Sequence, residues 1–426
     1  MAKKTSRGKL RETKRQARTV ANRNSPVKVT DSAGEQSVAF LFGAGASAEA
    51  GVCTSEKITE TLLNYGSYCP SEGSTEIENI LKYIQVRIGD YLGIRASEVN
   101  FEFLLGTLME LSEREHLPVV PLLGEGDLLV KKLEQKLPLS KVLDKLYALF
   151  RELLFITGAV DYLFPLKTFL DLTKPLDMFT LNYDLSLETA FDVLKLRYVT
   201  GYREREKELA TWDPSQFNAA SLDVRIFKLH GSINWGSFYG YPPVEEGRSF
   251  EATEQAKRYI ANYPKRVQFA AYPIASVEPP GRTTGMVGAM NFGTRKEQLY
   301  ASSQFTTLFN FFLTALHSVK TLVIAGYSFQ DRAINKLVEE STLEREGNLH
   351  LIVVNPSMYW IEQQYPVLRE FVNLGWVSRI EKPLGEALST GSIRDAVTAS
   401  VGSKRKARSY HATAPVNQGS SEQVPV

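Results

Sequence analysis

The sequence has 426 residues, of which 43% are hydrophobic, 23% charged and 11% aromatic, enough for one large globular domain or two ordinary ones and too apolar for a disordered chain. No uninterrupted apolar run approaches the roughly 18 residues that a membrane-spanning helix needs, and Cys53 and Cys69 are the only cysteines, too few for a disulfide framework or a four-thiolate zinc site. The formal charge of +2 conceals an asymmetry: residues 1 to 30 hold ten Lys/Arg against Glu12, residues 401 to 426 hold four against Glu422, and residues 31 to 400 carry 36 cations against 46 anions.

Residues 1–34 and 401–426 are therefore expected to be basic disordered tails around a body of residues 35–400, because polar segments bury too little surface to offset their ordering entropy. Such tails act either as solvated solubility segments or as contacts for nucleic acid or an acidic partner. The N-terminus lacks the apolar core of a signal peptide, so a soluble cytoplasmic protein is expected.

In chain order, the first predicted strand is Val38 to Phe42 (VAFLF), apolar on both faces and thus suited to the centre of a parallel sheet. It runs into Gly43-Ala44-Gly45-Ala46-Ser47-Ala48, which fits G-x-G-x-x-[G/A] between a strand and a helix; small residues there let a backbone approach a pyrophosphate, and a helix N-terminus attracts its charge. An ordinary dehydrogenase would hold its ribose with an acid some 20 residues on, at the end of a second strand. None is found, so hydride transfer is disfavoured. Residues 75–172 then read as a helical insertion, with Val142, Leu143, Leu146, Leu149, Phe150, Leu153 and Leu154 recurring at threes and fours, as do Leu128, Leu129, Leu133 and Leu137. That stripe is either core or a surface for self-association.

Two more predicted strands, Met178 to Leu181 and Val224 to Leu229, end at Asn182-Tyr183-Asp184 and at His230-Gly231-Ser232. Both motifs lie beyond the carboxyl ends of strands, where parallel sheets bind ligands. His317 and His350, by contrast, fall within apolar elements and read as core or edge residues. Residues 238–300, with six prolines and many glycines, read as a loop-rich insertion. Strands Thr321 to Ala325 and Leu349 to Val354 follow, joined through a helix over Asp331 to Glu346. The expected fold is α/β: a Rossmann-like parallel sheet with helices on both faces, a helical insertion and a loop-rich insertion.

Taken in order, GAGAS, LNYD, LHGS, Gly326-Tyr327-Ser328 and Asn355 resemble the motifs of the sirtuin-like NAD-binding family over about residues 36 to 375. The resemblance implies that Gly43, Ala44, Gly45 and Ser47 face the NAD phosphates and that Gly326, Ser328 and Asn355 surround the adenosine half. It further implies Asn182 and Asp184 beside the nicotinamide ribose, with His230 as catalytic base. Deacylases of this family carry paired cysteine motifs for zinc after the HG motif, and no cysteine follows Cys69 here; Glu49-Ala50-Gly51-Val52 also lacks their Asp-Phe-Arg segment. The closer likeness is to the bacterial antiphage-defence branch that consumes NAD, which implies NAD as substrate and no zinc.

The chemistry suits these residue types. Nicotinamide leaves NAD as a neutral group, so cleavage needs a stabilised cationic ribose and a placed water. Asn182 can hold either, His230 can take a proton, and Asp184 can orient His230 or stabilise positive charge. With about 70 residues after the last strand, no fused sensor is expected; the resemblance implies a homo-oligomer and a HerA-type ATPase in trans, or alternatively a short prokaryotic Argonaute, with possible DNA contact through the tails. A non-catalytic NAD or ADP-ribose sensing module, or a DNA-acting subunit of a helicase or nuclease complex, is the alternative reading.

Overall fold

In the computed structural model, which describes residues 37–113, 139–206, 209–239, 267–271, 286–290 and 303–402, β1 (Val38–Phe42) is buried along its whole length. Alternate residues of β1 point to opposite faces, as the period of two demands. Val38, Phe40 and Phe42 enter one core and Ala39 and Leu41 the other. Each such aliphatic or aromatic burial contributes about 1.5–3 kcal/mol, so the two-sided apolar run fixes β1 at the centre.

The remaining strands follow as β2 (Leu176–Thr180), β3 (Tyr198–Val199), β4 (Tyr202–Glu206), β5 (Leu209–Trp212), β6 (Val224–Lys228), β7 (Gly231–Tyr239), β8 (Val267–Ala271), β9 (Met286–Met290), β10 (Thr321–Ala325), β11 (His350–Val354) and β12 (Val377–Ile380). Seven of them form a parallel sheet in the order β12-β11-β10-β1-β2-β6-β3. The chain starts in the middle, builds outward one way, and returns to β10 on the other side of β1. Because all these strands run parallel, Gly43, Asn182, His230, Gly326 and Asn355 fall on one edge of the sheet.

Helices cover both faces. The helices Ser55–Leu63, Ser74–Leu92, Phe101–Glu113 and Leu139–Leu153 pack on the face of Phe40, together with Leu384–Ser389 and Ser392–Gly402. Ser303–Ser318, Arg332–Glu344, Met358–Gln364 and Pro366–Asn373 cover the other. The insertion stripe is core: Val142, Leu143, Leu146, Leu149, Phe150 and Leu154 are buried against the sheet side. Its second stripe, Leu128 to Leu137, lies outside the described residues, as do residues 1–34 and 403–426 of the tails; residues 401 and 402, read as tail, end the helix Ser392–Gly402.

A second sheet is antiparallel, in the order β4-β5-β8-β7-β9. Of residues 238–300, read from sequence as loop-rich, those described are strand: the end of β7, β8 and β9. His350 sits buried on β11 with Nε2 2.8 Å from Ser378 Oγ. His317, read as core or edge, is instead exposed at the end of its helix.

Across β2 and β6, Arg225 grips Asp177 with two hydrogen bonds of 2.6 and 2.8 Å. Burial pushes the Asp177 carboxyl up and the guanidinium opposes that shift. Arg225→Ala is expected to lower unfolding free energy by about 2 kcal/mol in urea titration, below the roughly 3–5 kcal/mol of a fully buried pair because both side chains keep some solvent.

Candidate active site

The GAG loop and the loop after β10 are built against each other. Gly43 N donates to Ala325 O and Gly45 N to Gly326 O, both at 2.9 Å, while Ala46 N closes back on Gly43 O at 2.9 Å. A Cβ on Gly43 would lie 2.6 Å from Tyr327 Cα, and one on Gly326, whose φ is +62°, would lie 2.1 Å from Ala46 N. The small residues thus let two loops touch. Three amides of the motif are engaged inside the protein, and the helix expected after it begins as a seven-residue 3-10 helix, Ala44–Ala50. Ala44 and Gly45 remain exposed, and Ser47 is buried.

The loop after β2 locks onto this frame. Asn182, 8% exposed, donates from Nδ2 to Gly43 O and to Ser47 Oγ, both at 2.9 Å, and its amide N donates to Thr180 Oγ1 at 3.0 Å. Its Oδ1 is buried and unpartnered. Asp184 accepts from Ser186 N at 2.9 Å, which is the ordinary Asx role at the start of the helix Ser186–Leu194. The Asp184 carbonyl takes the ammonium of Lys228, which also meets Glu188 Oε1 at 3.0 Å. Both members of that ion pair are buried, Lys228 completely.

Ser47, Asn182 and Asp184 converge with Ala46, Ser186, Glu188 and Lys228 on one pocket of about 270 Å³, open mouth included. Its free interior admits roughly one water molecule. Tyr162 stands beside it, its hydroxyl donating to Ala46 O at 2.8 Å; burial, with smaller contributions from the charges of Asp184 and Glu49, holds that phenol well above its ordinary value.

His230 joins the two sheets, between β6 and β7, and does not line this pocket. It is 3% exposed, with the Tyr183 ring 6.2 Å away, centroid to centroid. The carboxylate beside it is that of Asp331, not Asp184: His230 Nε2 lies 3.0 Å from Asp331 Oδ2, a close contact off the line of an aligned hydrogen bond. Asp331 Oδ1 meanwhile caps the helix Arg332–Glu344 at Ala333 N and Ile334 N, at 3.0 and 3.1 Å. The role of orienting His230, read from sequence onto Asp184, falls geometrically to Asp331.

The other named residues lie on the β10 and β11 loops. Tyr327 is buried there, its hydroxyl donating to Asn335 Oδ1 at 2.7 Å. Ser328 is exposed. Asn355 accepts from Ser357 N at 2.9 Å and reaches Tyr327 O at 3.4 Å. Gly326, Ser328 and Asn355 do not line the pocket of Asn182. Among the described residues no group of three or more His, Cys, Asp or Glu side chains is placed to hold a metal ion, and no helix is long and apolar enough to cross a membrane.

Sequence reasoning missed Asp331, Lys228, Glu188 and Ser186. Lys228 did carry a signal, since a lysine closing an otherwise apolar buried strand requires a partner. Glu188, in the first turn of the helix Ser186–Leu194, is that partner.

Solved structures similar to this chain include a Sir2 homologue mutant complexed with 2′-O-acetyl ADP-ribose, at 12% identity and a TM-score of 0.38, covering 87% of this chain and 96% of that one. Another is a Sir2 homologue bound to NAD, at 14% identity and a TM-score of 0.38, covering 85% and 92%. A third is a Sir2 homologue mutant with ADP-ribose, at 14% identity and a TM-score of 0.36, covering 85% and 95%. Identities and scores of this size carry neither a residue correspondence nor a function to this chain. No family profile matches the chain, and no curated protein matches it.

Proposed function

We propose that this chain is an NAD glycohydrolase, cleaving NAD to nicotinamide and ADP-ribose. The observation that carries the reading is the convergence of Ser47, Asn182 and Asp184 on one pocket at the carboxyl edge of the parallel sheet, beside the point where strand order turns back, the place where such sheets take ligands.

In this reading the ribose that loses nicotinamide lies over Asn182, whose side chain is fixed by Gly43 and Ser47. Electron density from the breaking C–N bond goes to the nicotinamide ring, which departs neutral. Buried Asp184 and Glu188 lower the energy of the positive charge that develops on the ribose. His230, beside Asp331, exchanges a proton with a ribose hydroxyl.

The tight interior and the occupied loop amides favour a second reading, a module that binds NAD or ADP-ribose without turning it over. Incubating the purified chain with NAD, alone and with the product of a neighbouring gene, and separating products by chromatography distinguishes the two. Nicotinamide and ADP-ribose lost on His230→Ala support the hydrolase; thermal stabilisation by NAD without product supports the sensor. The resemblance of motifs further supports a cytoplasmic role in antiphage defence by NAD depletion. Regulation would come through a homo-oligomer and a HerA-type ATPase, or a short prokaryotic Argonaute, with DNA contacts through the basic tails.

Asp331 supplies a separate check. Asn retains the helix cap about as well as Asp, so Asp331→Asn is expected to leave the melting temperature almost unchanged while lowering kcat about 10²-fold through loss of the charge beside His230. Steady-state kinetics alongside thermal melts would show it.

A further inference from the structure

Three buried polar atoms without hydrogen-bond partners belong to side chains that line the pocket of Asn182: Asn182 Oδ1, Ser186 Oγ and Glu188 Oε2. The three residues are 8%, 2% and 3% exposed. Burying such atoms unpaired is costly, about 1–3 kcal/mol each and more for a charged oxygen. Three in one place mark a site for a group that donates hydrogen bonds. Two of the atoms are pure acceptors and the third is a hydroxyl that can act either way. Anions are therefore excluded. The interior is the size of one water molecule, which excludes a ring or a side chain of any length.

The Glu188 carboxylate is divided between two tasks. Oε1 is committed to Lys228 Nζ at 3.0 Å, and the same ammonium ties down the Asp184 carbonyl. Oε2 is buried without a partner, on a residue that lines the pocket. Lys228 thereby sets the carboxylate plane and holds the Asn182–Asp184 loop against it. Burial raises the proton affinity of Glu188, with Lys228 opposing and the Asp184 charge adding to the rise, which brings a carboxylate closer to the range of an effective base.

We propose that Asn182 Oδ1, Ser186 Oγ and Glu188 Oε2 together hold a single water at the floor of this pocket, and that this water is the nucleophile of hydrolysis with Glu188 as its base and Lys228 as a positioning residue. The step rests on the glycohydrolase reading. The water oxygen forms a bond to the ribose carbon as the bond to nicotinamide breaks, the bonding pair leaves with nicotinamide, and one water proton passes to Glu188 Oε2 and on to solvent. NAD⁺ and water thus give nicotinamide, ADP-ribose and one proton.

Two measurements decide it. Glu188→Gln is expected to lower kcat about 10²-fold with KM for NAD within about twofold of the parent; parental kcat overturns the role of Glu188. Because one partner removed from a buried pair can unfold a protein, the double variant Lys228→Met with Glu188→Leu is made beside it. An apolar pair of similar volume is expected to preserve the cooperative melt and leave turnover absent, whereas a purely structural pair would give turnover back. The second measurement is a high-resolution crystal structure of the parent chain. A water within hydrogen-bonding distance of all three atoms supports the site, and its absence, or a protein group in that place, overturns it. A parent chain that forms no nicotinamide, alone or with the neighbouring gene product, refutes the glycohydrolase reading, and the crystal structure still judges the water site by itself.

Discussion

Alanine at Asn182 or at His230 is expected to lower NAD turnover by at least about 10²-fold, in the range that a positioned acid–base or orienting group contributes. For Asn182 the reason is double. Its Nδ2 joins Gly43 O to Ser47 Oγ while its Oδ1 is buried without a partner on a residue that lines the pocket, so truncation removes the proposed ligand contact and slackens two loops together. Stability is expected to fall by about 1–2 kcal/mol from the lost hydrogen bonds, which a urea titration separates from the kinetic loss. For His230 the argument is electrostatic. An imidazole 3% exposed and 3.0 Å from a carboxylate is, on the proposed reading, the proton carrier, and alanine offers nothing in its place. Turnover at the parental rate in either variant, measured by nicotinamide release, would remove that residue from the mechanism.

The second large effect concerns backbone. Gly326→Ala is expected to cost about 3 kcal/mol and to abolish function, because its φ of +62° disfavours any side chain and its new Cβ would press within 2.1 Å of Ala46 N and 2.5 Å of Gly45 C. Gly375→Ala is the internal control. Its φ is +75° with nothing within 4 Å of a Cβ, so it carries the conformational cost alone, about 1 kcal/mol. The difference between the two variants in chemical denaturation isolates the packing of one loop on the other. Equal losses would mean that the two loops yield to each other more readily than their contacts indicate.

The central strands were legible because β1, β10 and β11 are apolar on both faces, the pattern of a strand covered by helices on either side. Their ends were legible too, and with them the residues at the carboxyl edge. The partner of His230 was not. Asp331 looks in sequence like a helix cap, which it is, and only the folding of the β10 loop over β6 brings its second oxygen to the imidazole. The 3-10 geometry after Gly43 was equally hidden, since the alanines that suit an α-helix here follow a backbone already held by Gly326 and Tyr162. The antiparallel sheet escaped notice because strands such as β4 (YRERE) mix charge with aromatic residues in a way that periodicity does not single out.

The pairing of β1 with β10 also sets a clock. Lys320 N reaches back to Ser37 Oγ across 283 residues, and the GAG loop has its shape only with Gly326 against it. At ribosomal rates of about 5–20 residues per second, roughly 15–60 s pass between synthesis of the two. Late in that interval every residue that lines the pocket of Asn182 has been made, yet Gly43 N and Gly45 N still lack the Ala325 and Gly326 carbonyls that hold the GAG loop. On the proposed reading, a site whose loop frame waits for a late strand stays inert on the ribosome, and a cell meets its activity only after the sheet is complete.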